Sequence, residues 1–459
     1  MRIHPPKLAI DESAPFKDAL FDRETFATSL TSLLRNVSDN LVVLVHAPWG
    51  AGKTTFARMW QAELRRQKLN VLYFDAYESD YFSDPFVCFS GEILKLAEKR
   101  FTEGKGLSAR REFKKNALKV GKRLAGLATK VVLKSATLGA IDETHLKELN
   151  EIGSELASGV GDISAGVIEE QIQHYSEQKE SWAAFKKSLT ELAAVVREEQ
   201  GFPLTIIVDE LDRCRPDFAL ALLERIKHLF DVDGVAFVIL VNRDQLENYI
   251  RGVYGNVDAR AYLLKFANLF VDLPTGDPNA PGSKGLYHYC DLLWMHFELE
   301  NRAQQMGHVL SCLKTLANHF QPTLRELENV FSVMTVYYAS RKKNEYMRHI
   351  LVAVLALLKV IQPRLYTRLS ISQVTCAEFF KETRIDEIQN WSGAIGDEEA
   401  RLLLQACLMS HAEFTKATTE EKAQRGTTKL HDAFESLYMK PKQVIPLLCS
   451  HLDRFALKL

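Results

Sequence analysis

The 459-residue sequence lacks the features that define several protein classes. Its seven cysteines are scattered and form no Cys-x-x-Cys pair, which argues against a disulfide framework or a zinc ribbon and favours a reducing compartment. The N-terminus has no apolar core of a signal peptide, and no window of about 18 residues is apolar enough to span a bilayer. The formal net charge of -1 gives no overall attraction to nucleic acid or membrane. We therefore expect a cytoplasmic globular protein.

The most informative stretch is 41–55, LVVLVHAPWGAGKTT. The apolar run at 41–45 predicts a buried parallel strand, and the pattern at 56–64 predicts an amphipathic helix. Between them lies a phosphate-binding loop of the GxxxxGK[ST] type, except that Ala47 replaces the first glycine. Alanine disfavours positive φ, but we expect the loop to tolerate it because that position needs a small residue more than a left-handed backbone.

This loop predicts a nucleotide site. Backbone N–H groups at a helix N-terminus converge on one point and carry partial positive charge, which suits a polyphosphate. Lys53 would add a charge for the β- and γ-phosphates of ATP, and the Thr54 hydroxyl would bind Mg²⁺. The predicted nucleotide-binding residues are Pro48, Trp49, Gly50, Ala51, Gly52, Lys53, Thr54 and Thr55.

A second motif follows about 155 residues later, in the stretch FPLTIIVDELDR at 202–213. A mostly apolar strand ends at Asp209, which would complete the Mg²⁺ shell, and Glu210 would polarise the attacking water. This is a Walker B arrangement, and its pairing with the phosphate loop makes both motifs more specific. Asp212 and Arg213 either form a local ion pair, which we favour, or reach the phosphates of a neighbouring subunit.

Four further residues are candidates for the site. Asn242 ends an apolar strand and would sense the γ-phosphate or orient water, unless it only caps the strand. Arg325 begins a helix capped by Thr323 and would reach the phosphates, unless it is a surface arginine. Arg260 is a candidate trans-acting arginine. Asp75 ends a second strand and lies either near the site or in a simple turn.

Positive charge is concentrated in one segment. Residues 95–134 contain thirteen Lys/Arg and three Glu, and apolar residues recur there at helical spacing. This pattern predicts a basic amphipathic helix. Through residues 110–134 the helix would contact an anionic membrane surface, nucleic acid or an acidic protein partner, or it would simply pack on the body of the protein with its charges solvated.

Several stretches together resemble the KAP family of P-loop NTPases, over roughly residues 20–335. They are DRETF, APWGAGKTTFARMW, YFDAYESDYFSDPF, IIVDELDRC, RAYLLKFANLFVDLP and LRELENV. The resemblance implies an α/β P-loop fold with a parallel sheet that has an additional strand, and a long helical insertion between Walker A and Walker B. In many members the insertion carries transmembrane helices, whereas here it is charged. Bacterial members are often associated with mobile elements and phage exclusion.

The expected organisation has six segments. They are an N-terminal arm (1–20), the first part of the NTPase core (21–91), the helical insertion (92–195), the second part of the core (196–275), a helical lid (276–340) and a C-terminal helical domain (341–459). We expect an Mg²⁺-dependent ATPase that acts as a conformational or assembly switch, forms a homo-oligomer and has a partner effector protein. The alternative is a nucleotide-gated scaffold or adaptor with negligible hydrolysis, recruited to membrane or nucleic acid by the basic helix.

Overall fold

The structure is a computed structural model. It describes residues 4, 6, 10–37, 40–82, 84–136, 162–229, 231–275, 285–299, 307–340, 349–388, 397–425, 429–435 and 439–454. The side chains of 122–175 are not among those described.

A parallel five-stranded sheet forms the centre of the N-terminal half. Its strands are β1 (Leu41–His46), β2 (Val71–Asp75), β3 (Leu204–Asp209), β4 (Val235–Val241) and β5 (Leu269–Asp272). Their order in the sheet is β2-β3-β4-β1-β5, so β4 lies between the strand before the phosphate loop and the strand that ends in the acidic pair. Every residue of β3 and β4 is buried, which explains why β4 is entirely apolar and β3 mostly so. The predicted P-loop fold with an additional strand is confirmed.

Helices cover the sheet and fill the long connection between β2 and β3. The first five are α1 (Arg23–Asn36), α2 (Lys53–Arg66), α3 (Pro85–Arg100), α4 (Gly104–Ala136) and α5 (Asp162–Gln200). Trp60 of α2 is fully buried and donates to Thr31 of α1 over 2.9 Å, which fixes the helix after the phosphate loop against the helix before β1. The predicted helical insertion corresponds to α3, α4 and α5, whose buried phenylalanines join the core of the sheet.

Several cations in the described part of the basic segment pair with neighbouring acids. Lys114 lies 3.1 Å from Glu98 of α3, and Lys105 lies 3.5 Å from Glu198 of α5. Such exposed pairs contribute little to stability, but they reduce the net charge that α4 presents. The side chains of 122–134 lie outside the described residues, so the predicted contact of 110–134 with membrane or nucleic acid stays a prediction.

Three helices complete the N-terminal half, namely α6 (Pro216–Lys227), α7 (Arg243–Tyr254) and α8 (Ala259–Leu263). The described residues of the second half form helices joined by turns, with no strand among them. It contains α9 (Leu286–His296), α10 (Gly307–Phe320), α11 (Leu324–Ser340), α12 (His349–Ile361), α13 (Pro363–Ser370), α14 (Cys376–Thr383), α15 (Asp397–Leu408), α16 (His411–Arg425), α17 (Lys429–Glu435) and α18 (Val444–Leu452).

One hydrophobic core joins these later helices from α9 to α18, with the apolar helix α12 among its buried members. Among the described helices, none combines the length and the apolar character that a bilayer crossing requires. The boundaries of the six segments proposed above stay predictions.

Candidate nucleotide-binding site

The loop between β1 and α2 has the backbone expected of a phosphate cradle. Gly50 and Gly52 both have φ +83°, a left-handed conformation that glycine adopts without a steric cost. Ala47 is buried and is not among the residues with positive φ, so its methyl group fits where the usual pattern has glycine. The expectation that the loop tolerates alanine at this position stays a prediction.

The start of α11 lies directly on this loop. The backbone N–H of Arg325 donates to the Gly50 carbonyl over 3.3 Å, and a Cβ added to Gly50 would lie 2.7 Å from the Arg325 Cβ. Thr323 and Glu326 form a reciprocal capping box, which fixes the first turn of α11. The first turn of α11, a helix within the predicted lid segment 276–340, thus contacts the phosphate loop through its backbone.

Lys53 and Thr54 connect the loop to the acidic motif. The Lys53 Nζ donates to the Ala47 carbonyl over 2.8 Å and lies 3.4 Å from the Asp212 Oδ2. The Thr54 hydroxyl donates to the Glu210 Oε1 over 2.5 Å. The two predicted halves of the site therefore meet at one place, at the carboxyl ends of β1 and β3.

Asp209 is fully buried at the end of β3. Its Oδ2 accepts a hydrogen bond of 2.8 Å from the Tyr73 hydroxyl, whereas its buried Oδ1 has no hydrogen-bond partner among the described residues. Burial raises the pKa of this carboxyl to about 6, against the hydrogen bond from Tyr73, which lowers it. An orphaned carboxylate oxygen beside the Thr54 hydroxyl fits the oxygen-only ligand set of Mg²⁺.

Glu210 and its neighbours lie in a short 3₁₀ turn. Glu210 has φ +61°, and its Oε2 lies 2.5 Å from the Arg213 Nε. The favoured Asp212–Arg213 ion pair is wrong. Successive residues of a 3₁₀ turn point about 120° apart, so Asp212 turns inward to Lys53 and Arg213 turns back to Glu210.

Asp212 joins three elements through a single oxygen. Its Oδ2 accepts from the Trp49 indole N–H over 2.6 Å and from the backbone N–H of Asn242 over 3.0 Å, in addition to the ion pair with Lys53. The side chain is only 1% exposed, and its Oδ1 has no hydrogen-bond partner among the described residues. This carboxylate therefore ties the phosphate loop to the end of β4.

These groups surround a cleft of about 390 Å³. Of the predicted site residues, those that line it are Trp49, Gly50, Gly52, Lys53, Thr54, Thr55, Glu210 and Arg325. Four others, Pro48, Ala51, Asp209 and Asn242, are not among its lining residues. Arg260 is exposed on α8 and is not among the lining residues. The roles proposed for all of these residues stay predictions.

Sequence reasoning missed Arg23. Arg23 is 3% exposed and lines the cleft, and its guanidinium donates from Nη1 to the Gly52 carbonyl over 3.2 Å and from Nη2 to the Ala51 carbonyl. Burial lowers the pKa of Arg23 to about 10, so it still carries its charge at neutral pH. The only signal in the sequence is its place in the DRETF stretch, which carries no functional information by itself.

The sheet order, the glycine-containing loop and the facing carboxylates define a P-loop nucleotide-binding protein. A family model described as the KAP family P-loop domain matches residues 23–341. This match covers well over half of the sequence, and the chain belongs to the KAP family of P-loop NTPases.

Other comparisons add little to this. No curated protein matches the sequence. Twelve chains of solved structures match it, among them the ORC2 protein of Aeropyrum pernix in ADPNP-ADP complexes, which is 12% identical over 98% of this chain and 96% of that chain with a TM-score of 0.33. At this TM-score the likeness supports no statement about function or assembly.

Proposed function

We propose that the protein is an Mg²⁺-dependent ATPase that uses nucleotide binding and hydrolysis as a conformational or assembly switch. The observation that carries this proposal is the 2.5 Å contact between the Thr54 hydroxyl and the Glu210 carboxylate. It brings a nucleotide-binding residue and an acid suited to general-base catalysis to the same wall of one cleft. Lys53 lies beside them, where a point charge for the β- and γ-phosphates is needed.

In the proposed reaction the Glu210 carboxylate accepts a proton from water as the water oxygen bonds to the γ-phosphorus. The bond from that phosphorus to the β–γ bridging oxygen breaks, and ADP and inorganic phosphate are formed. Asn242 and Arg325 are proposed to respond to the γ-phosphate. Thr54 and Asp209 would hold Mg²⁺, which supplies neutralisation of phosphate charge when it is bound.

The proposed switch follows from the position of α11. This helix contacts the phosphate loop at Gly50 and contributes buried residues to the core shared by the later helices. Nucleotide bound at the loop would thus change the contacts at the start of α11, a helix whose buried residues belong to the core of the later helices. We propose that this coupling controls self-assembly or a partner effector protein.

Following the family resemblance, we propose that the protein acts in anti-phage defence. The test is phage plating on cells that carry the parent or the Lys53→Ala gene.

The test is phosphate release from MgATP and MgGTP combined with size analysis, on the parent, Lys53→Ala and Glu210→Gln. We expect ATP to be preferred, because no guanine-reading motif is evident. Lys53→Ala should lose binding, and Glu210→Gln should bind ATP while turnover falls at least about 100-fold, as for loss of a general base. The control is Glu63→Gln, which changes a glutamate of α2 that does not line the cleft.

Two results would decide against this proposal. Equal turnover of Glu210→Gln and the parent would remove Glu210 from the mechanism. A parent that binds ATP and changes its assembly without releasing phosphate would instead identify the nucleotide-gated scaffold.

A further inference from the structure

Arg213 lines the cleft but pairs with Glu210 instead of forming the expected ion pair with Asp212. Its Nε lies 2.5 Å from the Glu210 Oε2, and its side chain lines the same cleft as Lys53 and Thr54. The arginine is 39% exposed, whereas the glutamate is 7% exposed. The pair therefore consists of one anchored member and one member that can move into the cleft.

The geometry of this pair differs from the strongest arrangement of an arginine and a carboxylate. Arginine binds a carboxylate most strongly when two N–H groups meet both oxygens in parallel. Here the shortest contact is from Nε, and the Glu210 Oε2 that it approaches has no hydrogen-bond partner among the described residues. Glu210, by contrast, is also held by the Thr54 hydroxyl. Arg213 can leave Glu210 without exposing a buried cation.

The charges around the cleft favour a cation that can move onto the bound phosphates. Asp209, Glu210 and Asp212 place three carboxyl groups where the proposed function brings a triphosphate. Lys53 is already paired with Asp212, and Arg23 is held by the carbonyls of the phosphate loop, which leaves Arg213 and Arg325 as the lining cations that could move onto a phosphate. Of these two, Arg213 is the one that contacts the proposed general base Glu210. Phosphoryl transfer is accelerated by an arginine that stabilises the charge on the transferred group.

We propose that Arg213 exchanges Glu210 for the γ-phosphate of ATP bound in its own subunit. This inference rests on the proposed function and adds a residue and a control step to it. The exchange places a guanidinium on the transferred phosphoryl group and at the same time frees the Glu210 carboxylate to accept the proton from water. ADP has no γ-phosphate, so with ADP the arginine stays on Glu210.

The test compares affinities as well as rates. We would measure binding of MgADP, of MgATP and of MgADP with aluminium fluoride, a mimic of the transferred phosphoryl group, to the parent, Arg213→Ala and Arg213→Lys. For Arg213→Ala we expect MgADP affinity within about twofold of the parent, binding of the aluminium fluoride complex weakened at least about 10-fold, and turnover lowered at least about 100-fold. The lysine variant should recover part of both losses.

A matched control is available on α2. Arg66 pairs with Glu63 at the same three-residue spacing and is similarly exposed, but neither residue lines the cleft. Arg66→Ala should leave all three affinities and the turnover unchanged. A general effect of removing an exposed arginine from such a pair would appear in both variants.

Several results would overturn the inference. Turnover of Arg213→Ala equal to or above that of the parent would show that the pair is structural or merely restrains Glu210. Equal loss of MgADP and aluminium fluoride binding would show a folding effect. Recovery of activity on mixing Arg213→Ala with Lys53→Ala would show that the arginine acts on another subunit. A parent that does not hydrolyse ATP defeats the proposed function instead, and is recognised before any Arg213 variant is made.

Discussion

The buried carboxyl of Asp209 should make the protein without metal or nucleotide more stable at pH 5 than at pH 7. The side chain is fully buried, and burial disfavours its charged form, which raises its pKa from 3.8 to about 6. In the unfolded chain the carboxyl is hydrated and titrates near its ordinary value. The perturbation that isolates this group is Asp209→Asn, which keeps the side chain's size and removes its titration.

The sign and size of the effect follow from proton linkage. Between about pH 4 and pH 6 the folded protein holds a proton on Asp209 that the unfolded chain has already released, so this contribution to the free energy of unfolding falls as pH rises through that window. One pKa unit corresponds to about 1.4 kcal/mol. The rise in pKa from 3.8 to about 6 therefore costs the folded parent roughly 3 kcal/mol at pH 7 that it does not lose at pH 4.

The assay is urea unfolding at several pH values, followed by the fluorescence of tryptophans such as Trp60, which is buried in the same half of the protein. The free energy of unfolding of Asp209→Asn minus that of the parent should rise by about 3 kcal/mol from pH 4 to pH 7. Asp217→Asn, a change at an aspartate that is 73% exposed, controls for the loss of any carboxylate. A difference that stays flat with pH, or that falls as pH rises, would refute the argument that burial governs Asp209.

Two further substitutions test the support of the phosphate loop. Gly50→Ala should weaken ATP binding and lower the midpoint of thermal unfolding, because Gly50 has φ +83° and the new Cβ would lie 2.7 Å from the Arg325 Cβ. The control is Gly252→Ala, which should be neutral or slightly stabilising because no atom lies within 4 Å of the new Cβ. Arg23→Met should weaken ATP and ADP binding equally, by about 10-fold or about 1.4 kcal/mol, since two loop carbonyls lose a charged donor. Calorimetric titration measures both affinities. A loss of affinity confined to ATP would contradict a purely supporting role for Arg23.

Much of the fold could be predicted because its main signals are local. The runs that form β1, β3 and β4 are continuous and apolar, as strands buried on both faces must be. The phosphate loop and the acidic pair each follow such a strand, so their positions at the carboxyl edge of the sheet come from strand direction alone. The order of the strands was not predicted, because periodicity does not specify which strands are neighbours.

The partners of the charged side chains could not be predicted, because they depend on the direction of each residue in a turn and on distant segments. Asp212 and Arg213 are adjacent in sequence but face different partners across a 3₁₀ turn. Arg23 meets the phosphate loop 28 residues later in the chain. Arg325 lies on Gly50 although 275 residues separate the two. Patterns of burial show which face of an element is covered and say nothing about which charge lies opposite.

The two acids after Asp209 divide the site into two networks. Asp212 holds Trp49, Lys53 and the end of β4, which are groups that fix the phosphate loop. Glu210 holds Thr54 and Arg213, which are groups proposed to act on metal and γ-phosphate. A change that loosens the loop weakens binding of the ground state and of the transition state alike. A change at Arg213 affects only the interactions that are made with the γ-phosphate. Substitutions in the two networks should therefore separate nucleotide affinity from turnover, and equal effects of Arg23 and Arg213 variants on both quantities would show that the site acts as one unit.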